Sequence, residues 1–157
     1  MSTLIVYASK YGGTAKIAEI LSEEIKSDVD LRELKTPKNI NFDDYDNILI
    51  GTPIYAGRAR KAIRKFCKNN LEALLTKNVG IFINCWFHDK LEEYIQNSFP
   101  AELVEEAKIV YAGIESDPSE MSWLDRLVVK TVAKRQESVS DIKYENLQKL
   151  ARDSTAQ

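Results

Sequence analysis

The sequence is short of nearly everything that side-chain catalysis draws on. It holds one histidine and two cysteines among 157 residues. His88 alone cannot build a histidine-based triad or a histidine metal cluster. Cys67 and Cys85 stand too far apart for a CxxC redox pair, and they suggest neither a disulfide framework nor a zinc site. No apolar run reaches membrane-spanning length and no secretory hydrophobic region is visible, so the expected setting is soluble, reducing and cytoplasmic. The formal net charge is only -2, which supplies no general attraction to nucleic acid or membrane. Glycine and proline are sparse as well, at six and four, so the places where they gather are informative.

What is present is an alternation of two periods. Residues 4–8, 47–51, 79–84 and 108–114 are short runs rich in Val, Ile and Leu, as expected of buried parallel strands. Residues 29–34 alternate Val29, Leu31 and Glu33 with polar neighbours, which suits an edge strand. Between these runs lie helical faces: Ile17, Leu21 and Ile25; Ala59, Ala62, Ile63, Phe66 and Cys67; Leu91, Tyr94 and Ile95. Leu124, Leu127, Val128 and Val132 make a further face, and Leu147 with Leu150 marks a terminal helix. Pro37, Pro53, Pro100 and Pro118 all fall in expected loops or at element ends. The pattern predicts a single α/β domain over residues 1–157, a three-layer α/β/α sandwich on a five-stranded parallel sheet of order 2-1-3-4-5.

In such a sheet, ligands bind beyond the carboxyl ends of the strands, where the strand order reverses. The loops after the first and third strands frame that crevice. The first, within TLIVYASKYGGT (residues 3–14), runs from strand through a small-residue turn into a helix. Backbone N–H groups converge in a turn of this kind, backed by the positive end of a helix, and favour a phosphate. Ser9 and Thr14 add hydroxyl donors, Lys10 adds a cation, and Gly12 and Gly13 allow close backbone approach beside Tyr11. An ordinary glycine-rich turn is the plain alternative. The Gly-Lys-Ser/Thr ending of a triphosphate-binding loop is missing, as are the three spaced glycines of a dinucleotide fingerprint. Carboxylates after the first and third strands, which a phosphoacceptor domain needs, are absent too.

The second loop, GTPIYAGR (residues 51–58), has the parts that a flavin ring requires. Thr52, Pro53 and Ile54 lead to Tyr55, a flat ring, and the Ala56–Gly57 peptide can turn its carbonyl at little cost because glycine accepts either sign of φ. Tyr55 could equally be an aromatic closing the sheet's upper edge. The third loop offers Asn84, Cys85, Trp86 and Phe87, whose paired aromatics are natural neighbours of a planar cofactor or, alternatively, a hydrophobic plug. His88 beside a flavin would be a proton donor; a solvated or capping role is the alternative.

With SKYGGT and GTPIYAGR in this order, the chain resembles the flavodoxins, whose FMN phosphate sits in a Ser/Thr-x-Thr-Gly-x-Thr loop. Ser9, Gly12 and Thr14 match that loop, while Tyr11 and Gly13 replace its usual Thr and Asn. Within the superfamily the chain is most similar to the menaquinone-dependent protoporphyrinogen dehydrogenases. That likeness spans TLIVYASKYGGT, YDNILIGTPIYAGRARKAIRKF, KIVYAGI and especially WLDRLVVKTVAK (residues 123–134). The resemblance implies FMN as cofactor and two functions: a small electron-transfer carrier, or a quinone-linked porphyrinogen dehydrogenase of haem biosynthesis. The stretch between residues 84 and 108 is shorter than in those dehydrogenases and lacks their basic, proline-containing loop, which favours the carrier.

Charge placement suggests partners. Arg58, Arg60, Lys61, Arg64, Lys65 and Lys68 form a wholly basic stretch that begins at the second loop. A solvated helix face is the plain explanation. Beside a redox centre, however, such a stretch would attract an acidic redox protein or a polycarboxylate substrate. Residues 123–134 combine Trp123 and an apolar face with basic flanks, which would suit weak contact with a membrane surface.

Overall fold

The computed structural model describes residues 2–35, 39–116 and 139–155. Within them the chain runs β1 (Ser2–Tyr7), α1 (Gly13–Glu24), β2 (Asp28–Glu33), β3 (Asn47–Tyr55), β4 (Arg58–Ala59), α2 (Lys61–Asn69) and α3 (Leu71–Leu74). It continues through β5 (Asn78–Asn84), α4 (Leu91–Ser98), α5 (Ala101–Glu106), β6 (Lys108–Ser116), β7 (Val139–Ile142) and α6 (Tyr144–Thr155). The helix expected over residues 123–134 lies outside the described residues, as do Pro37 and Pro118.

The sheet order is β2-β1-β3-β5-β6-β7. The first five of these strands pair in parallel and reproduce the expected 2-1-3-4-5 order. Two additions depart from a five-stranded sheet: β7 joins β6 antiparallel at the edge, and β4 folds back on the tip of β3. Alternation along the central strands sends side chains to two separate cores. Leu4, Val6, Ile48, Ile50, Ile81 and Ile83 pack with Ile63, Phe66, Tyr94 and Leu103 of α2, α4 and α5. Ile5, Leu49 and Phe82 pack with Ile17 and Leu21 of α1 and with Leu147 and Leu150 of α6. Each fully buried Leu or Ile contributes roughly 1.5–3 kcal/mol relative to exposure. The strands read as continuous apolar runs because both faces are covered. On β2, Leu31 is 37% exposed, as an edge strand allows.

One strand is longer than its sequence suggests. β3 was expected to stop at Gly51, with Pro53 in a loop, yet it runs on to Tyr55. Successive residues of a strand direct their backbone groups to opposite neighbours. Gly51 accepts from the Ala8 N–H on the β1 side at 3.1 Å, so the Pro53 nitrogen lies on that side too. The β1 pairing ends at Gly51, and a proline there sacrifices no ladder bond. Ala59, expected on the helix face, instead belongs to β4.

Polar side chains fix the register at the amino ends of the central strands. Thr3, Asn47 and Asn78 stand abreast on β1, β3 and β5. Asn47 Nδ2 donates to Thr3 Oγ1 at 3.3 Å, and Asn78 Nδ2 donates to Asn47 Oδ1 at 2.8 Å and to the Asp153 carbonyl of α6 at 3.3 Å. Asn47 is fully buried, so removing its amide strands two partners. Asn47→Ala should cost about 1–3 kcal/mol of stability, read from the urea midpoint; an unchanged midpoint would show that this row does not hold the register.

Candidate functional site

At the opposite, carboxyl end of the sheet lies a cleft of about 320 Å³. It is framed by the loop after β1, the β3–β4 hairpin and the turn after β5. Every residue expected at the site lines it except Gly12 and Thr52.

The loop after β1 delivers the chain into α1. Gly12 is the residue before the helix, at φ 86°, and its N–H donates to Ser9 Oγ at 3.0 Å. That left-handed conformation is what glycine accepts without strain. The helix has no side-chain cap, so its first-turn N–H groups, which no helical carbonyl reaches, remain available as donors. Gly13 has a different reason: a Cβ there would sit 2.2 Å from the Glu115 carbonyl oxygen, so α1 meets β6 at backbone contact. Thr14 is 1% exposed, and its Oγ1 accepts from Asn84 Nδ2 at 3.4 Å. Lys10 Nζ lies 5.3 Å from the centre of the Tyr11 ring and 4.8 Å from that of Tyr55, spanning from the first loop to the hairpin.

The hairpin turns on Ala56 (φ 52°) and Gly57 (φ 77°) between the paired Tyr55 and Arg58. Positive φ at both central residues is the geometry of the tight turn that matches strand twist. Alanine is a strained choice there, costing about 1–2 kcal/mol. Thr52, expected against a ring, is buried instead under this turn. Its Oγ1 accepts from the Arg60 N–H at 3.1 Å and donates to the Pro53 carbonyl at 2.9 Å. Asn97 Nδ2 of α4 donates to the Gly57 carbonyl at 3.5 Å, and Ser98 Oγ accepts from the Ala59 N–H at 2.8 Å. Helix α4 thus holds the hairpin, and its Tyr94 enters the cleft lining.

Asn84 ties the three segments together. Between Ile83 and Asn84 the β5–β6 register shifts by one, leaving Ala112 of β6 unmatched. Beyond that bulge the Asn84 side chain does what a backbone would: Oδ1 accepts from the Glu115 N–H at 3.1 Å and Nδ2 donates to the Glu115 carbonyl at 3.3 Å. Ile114, Glu115 and Ser116 thereby reach the cleft. Sequence reasoning missed them, along with Tyr94, and Arg60 was read only as part of the basic stretch. Glu115 Oε1 pairs with Lys16 Nζ at 3.0 Å, and this bond raises the Lys16 pKa. Three buried polar atoms near the first loop, Tyr11 Oη, Glu115 Oε2 and Ser116 Oγ, lack hydrogen-bond partners among the described residues. His88 does not line the cleft; it stacks on Tyr111 at 4.3 Å between ring centres.

Burial governs the titratable groups. The Cys85 thiol is pushed up to about 11, chiefly by desolvation, and the Cys67 thiol to about 12 for the same reason. Tyr111 is raised to about 12 by burial, with smaller contributions from the nearby Cys85 and Asp141 charges, and it donates to the Cys85 carbonyl at 3.0 Å. Neither cysteine is a thiolate near neutrality, so the cleft has no activated sulfur nucleophile. Because burial raises both thiols above their unfolded values, the linkage favours the fold below about pH 8.5 and weakens as pH climbs toward 11. Both thiols should therefore resist a disulfide reagent at pH 8 until urea unfolds the chain. Fast modification of the folded protein at that pH would contradict their burial.

Comparison with known proteins gives the family and the fold. Residues 4–143 match the family described as the flavodoxin domain. An uncharacterized protein of Methanocaldococcus jannaschii is 31% identical over 103 residues, which is 62% of this chain and 67% of that protein. A flavodoxin of Streptococcus pneumoniae TIGR4 superposes with a TM-score of 0.61 at 19% identity over 99% of both chains. A flavoprotein of Lactobacillus acidophilus NCFM, solved in complex with FMN, gives 0.56 at 22% identity over 72% of this chain and 92% of that one. The solved structures share the fold; the sequence match, which runs from β1 through β7, shows that this chain belongs to the flavodoxin domain family.

Proposed function

We propose that the chain binds FMN and works as a small electron-transfer carrier. The observation that carries this reading is the cleft itself. An uncapped helix start with donors on Ser9 and Thr14 faces one end, and Tyr55, Trp86, Phe87 and Tyr94 surround the rest. Its size lies within the roughly 300–1,000 Å³ usual for small-molecule sites. The unpartnered Tyr11 Oη, Glu115 Oε2 and Ser116 Oγ fit a polyhydroxyl chain linking a phosphate to a ring. The FMN-complexed flavoprotein of Lactobacillus acidophilus, with the same fold, supports the assignment.

When bound, FMN supplies one- and two-electron redox chemistry through its ring. The chain's own residues then have separate tasks. The first-turn N–H groups of α1, the hydroxyls of Ser9 and Thr14, and Lys10 hold the phosphate. The Lys16–Glu115 pair offsets the carboxylate charge next to that anion. Tyr55, Trp86 and Phe87 flank the ring and keep water from its faces. The strained Ala56–Gly57 turn lets the Ala56 carbonyl reorient toward a ring N–H, while Asn97 retains the Gly57 carbonyl. Burial keeps the Cys85 thiol protonated near neutrality, and a carrier needs no side-chain nucleophile because its ring does the chemistry.

A second reading, a menaquinone-dependent protoporphyrinogen dehydrogenase, is favoured by the likeness of residues 123–134 to that branch. Oxidation of protoporphyrinogen coupled to menadione by the FMN-loaded protein would establish it. Separated one-electron steps on photoreduction, without porphyrinogen turnover, are expected of the carrier.

Two substitutions test the phosphate assignment by quenching of FMN fluorescence. Gly12→Asp adds an anion and forces a side chain into the left-handed region; it should abolish FMN retention. Thr14→Val removes one donor and should weaken binding by about tenfold. Wild-type affinity in Gly12→Asp would contradict the site.

A further inference from the structure

The charge pattern of helix α2 costs it stability at its amino end and along its exposed face. Four of its nine residues, Lys61, Arg64, Lys65 and Lys68, are cations, none is an anion, and no side chain caps it. Lys61 stands at the positive end of the helix dipole, which disfavours a cation. Lys61 with Lys65 and Arg64 with Lys68 are like-charged neighbours one turn apart, each pair unfavourable by a few tenths of a kcal/mol. Arg64 Nε donates to the Ala59 carbonyl at 3.1 Å, but among the described residues neither these four nor Arg58 and Arg60 forms an ion pair. Asp43 and Asp44 adjoin Phe42, whose ring packs on Phe66 of α2, yet they make no ion pair with the helix. Carboxylates stand in the same layer, on α3, α4 and α5, as well as on α1 and β2 beyond it, but none lies within α2 and none pairs with its cations. On a chain of net charge -2, α2 thus presents a run of cations with no ion-pair partner among the described residues.

That face is continuous with the cleft. Arg60 lines the cleft and Arg58 is exposed on the hairpin beside it. From there α2 runs away from the site, with Lys61, Lys65 and Lys68 exposed over roughly 10 Å of helix. A small polycarboxylate seated in the cleft would meet Arg60 but not Lys65 or Lys68, whereas a protein surface spans all of them. We propose that α2 and the β3–β4 hairpin form the docking surface for an acidic redox protein, which meets the cleft mouth carboxylates-first. The proposal rests on the FMN reading for its redox purpose, but the docking itself is measurable without FMN. Electrostatic steering of this kind acts mainly on the encounter rate and weakens with salt.

The test uses the full chain and, as the acidic probe, a bacterial iron–sulfur ferredoxin. Anisotropy of labelled ferredoxin reads docking with or without FMN. Stopped-flow reads reduction of the FMN-loaded protein, one electron passing from the reduced cluster to the flavin at each encounter. In 20 mM salt, Lys65→Glu/Lys68→Glu should weaken docking and slow reduction by about tenfold, with FMN affinity unchanged. The control Lys26→Glu/Lys149→Glu changes net charge equally on the other side of the sheet and should leave both unaltered. At 500 mM salt, wild type and the α2 variant should converge. Equal effects of the two double variants, or salt-independent docking, would overturn the proposal. So would wild-type behaviour in Lys65→Glu/Lys68→Glu, or binding of α2 to anionic phosphatidylglycerol vesicles but not to ferredoxin. Should the chain fail to retain FMN while anisotropy still shows α2-dependent docking, the cofactor reading fails and the surface stands.

Discussion

The side-chain amide of Asn84 is the joint on which the site depends. It lies where β5 and β6 lose register, and both of its polar ends bond the backbone of Glu115 while Nδ2 also reaches Thr14. A bulge would otherwise let β6 diverge from β5. The amide replaces the missing rung and holds β6 within backbone contact of Gly13. Three chain segments far apart in sequence meet through one buried group. Such a group must keep its partners, because an unpaired polar atom in that position costs about 1–3 kcal/mol.

The two ends of the sheet divide the labour. At the amino end, the Thr3–Asn47–Asn78 row and its bond to α6 specify register with every amide engaged. At the carboxyl end, three buried polar atoms lack partners among the described residues, an alanine sits in the left-handed region, and α1 begins without a side-chain cap. These features cost stability locally and make sense where a ligand completes them. Among the described residues, no helix is long and apolar enough to cross a membrane.

Much of this was legible in the sequence because it is local. Fully buried parallel strands read as Val/Ile/Leu runs, and the small-residue turn after β1 announces a phosphate-sized loop that leads into a helix. What was hidden depends on distant partners. Pro53 looks like a loop residue until β1 is known to stop at Gly51. Thr52 looks like a ring contact until its hydroxyl is found under the hairpin. Glu115 and Ser116 enter the cleft only because Ala112 is unmatched and Asn84 bridges the gap, and no local period encodes that. A glycine at position 113, late in an apolar strand, was the one sequence hint of irregularity. The edge strand β7 follows residues 117–138 and has too few apolar positions to stand out.

The central claim is that this carboxyl-edge cleft holds FMN. The most direct measurement is the visible spectrum of the freshly purified, undenatured protein, followed by titration of the stripped protein with FMN while its fluorescence is recorded. The account predicts flavin absorption bands and quenching that saturates at one FMN per chain. A colourless protein that leaves added FMN fully fluorescent would contradict it.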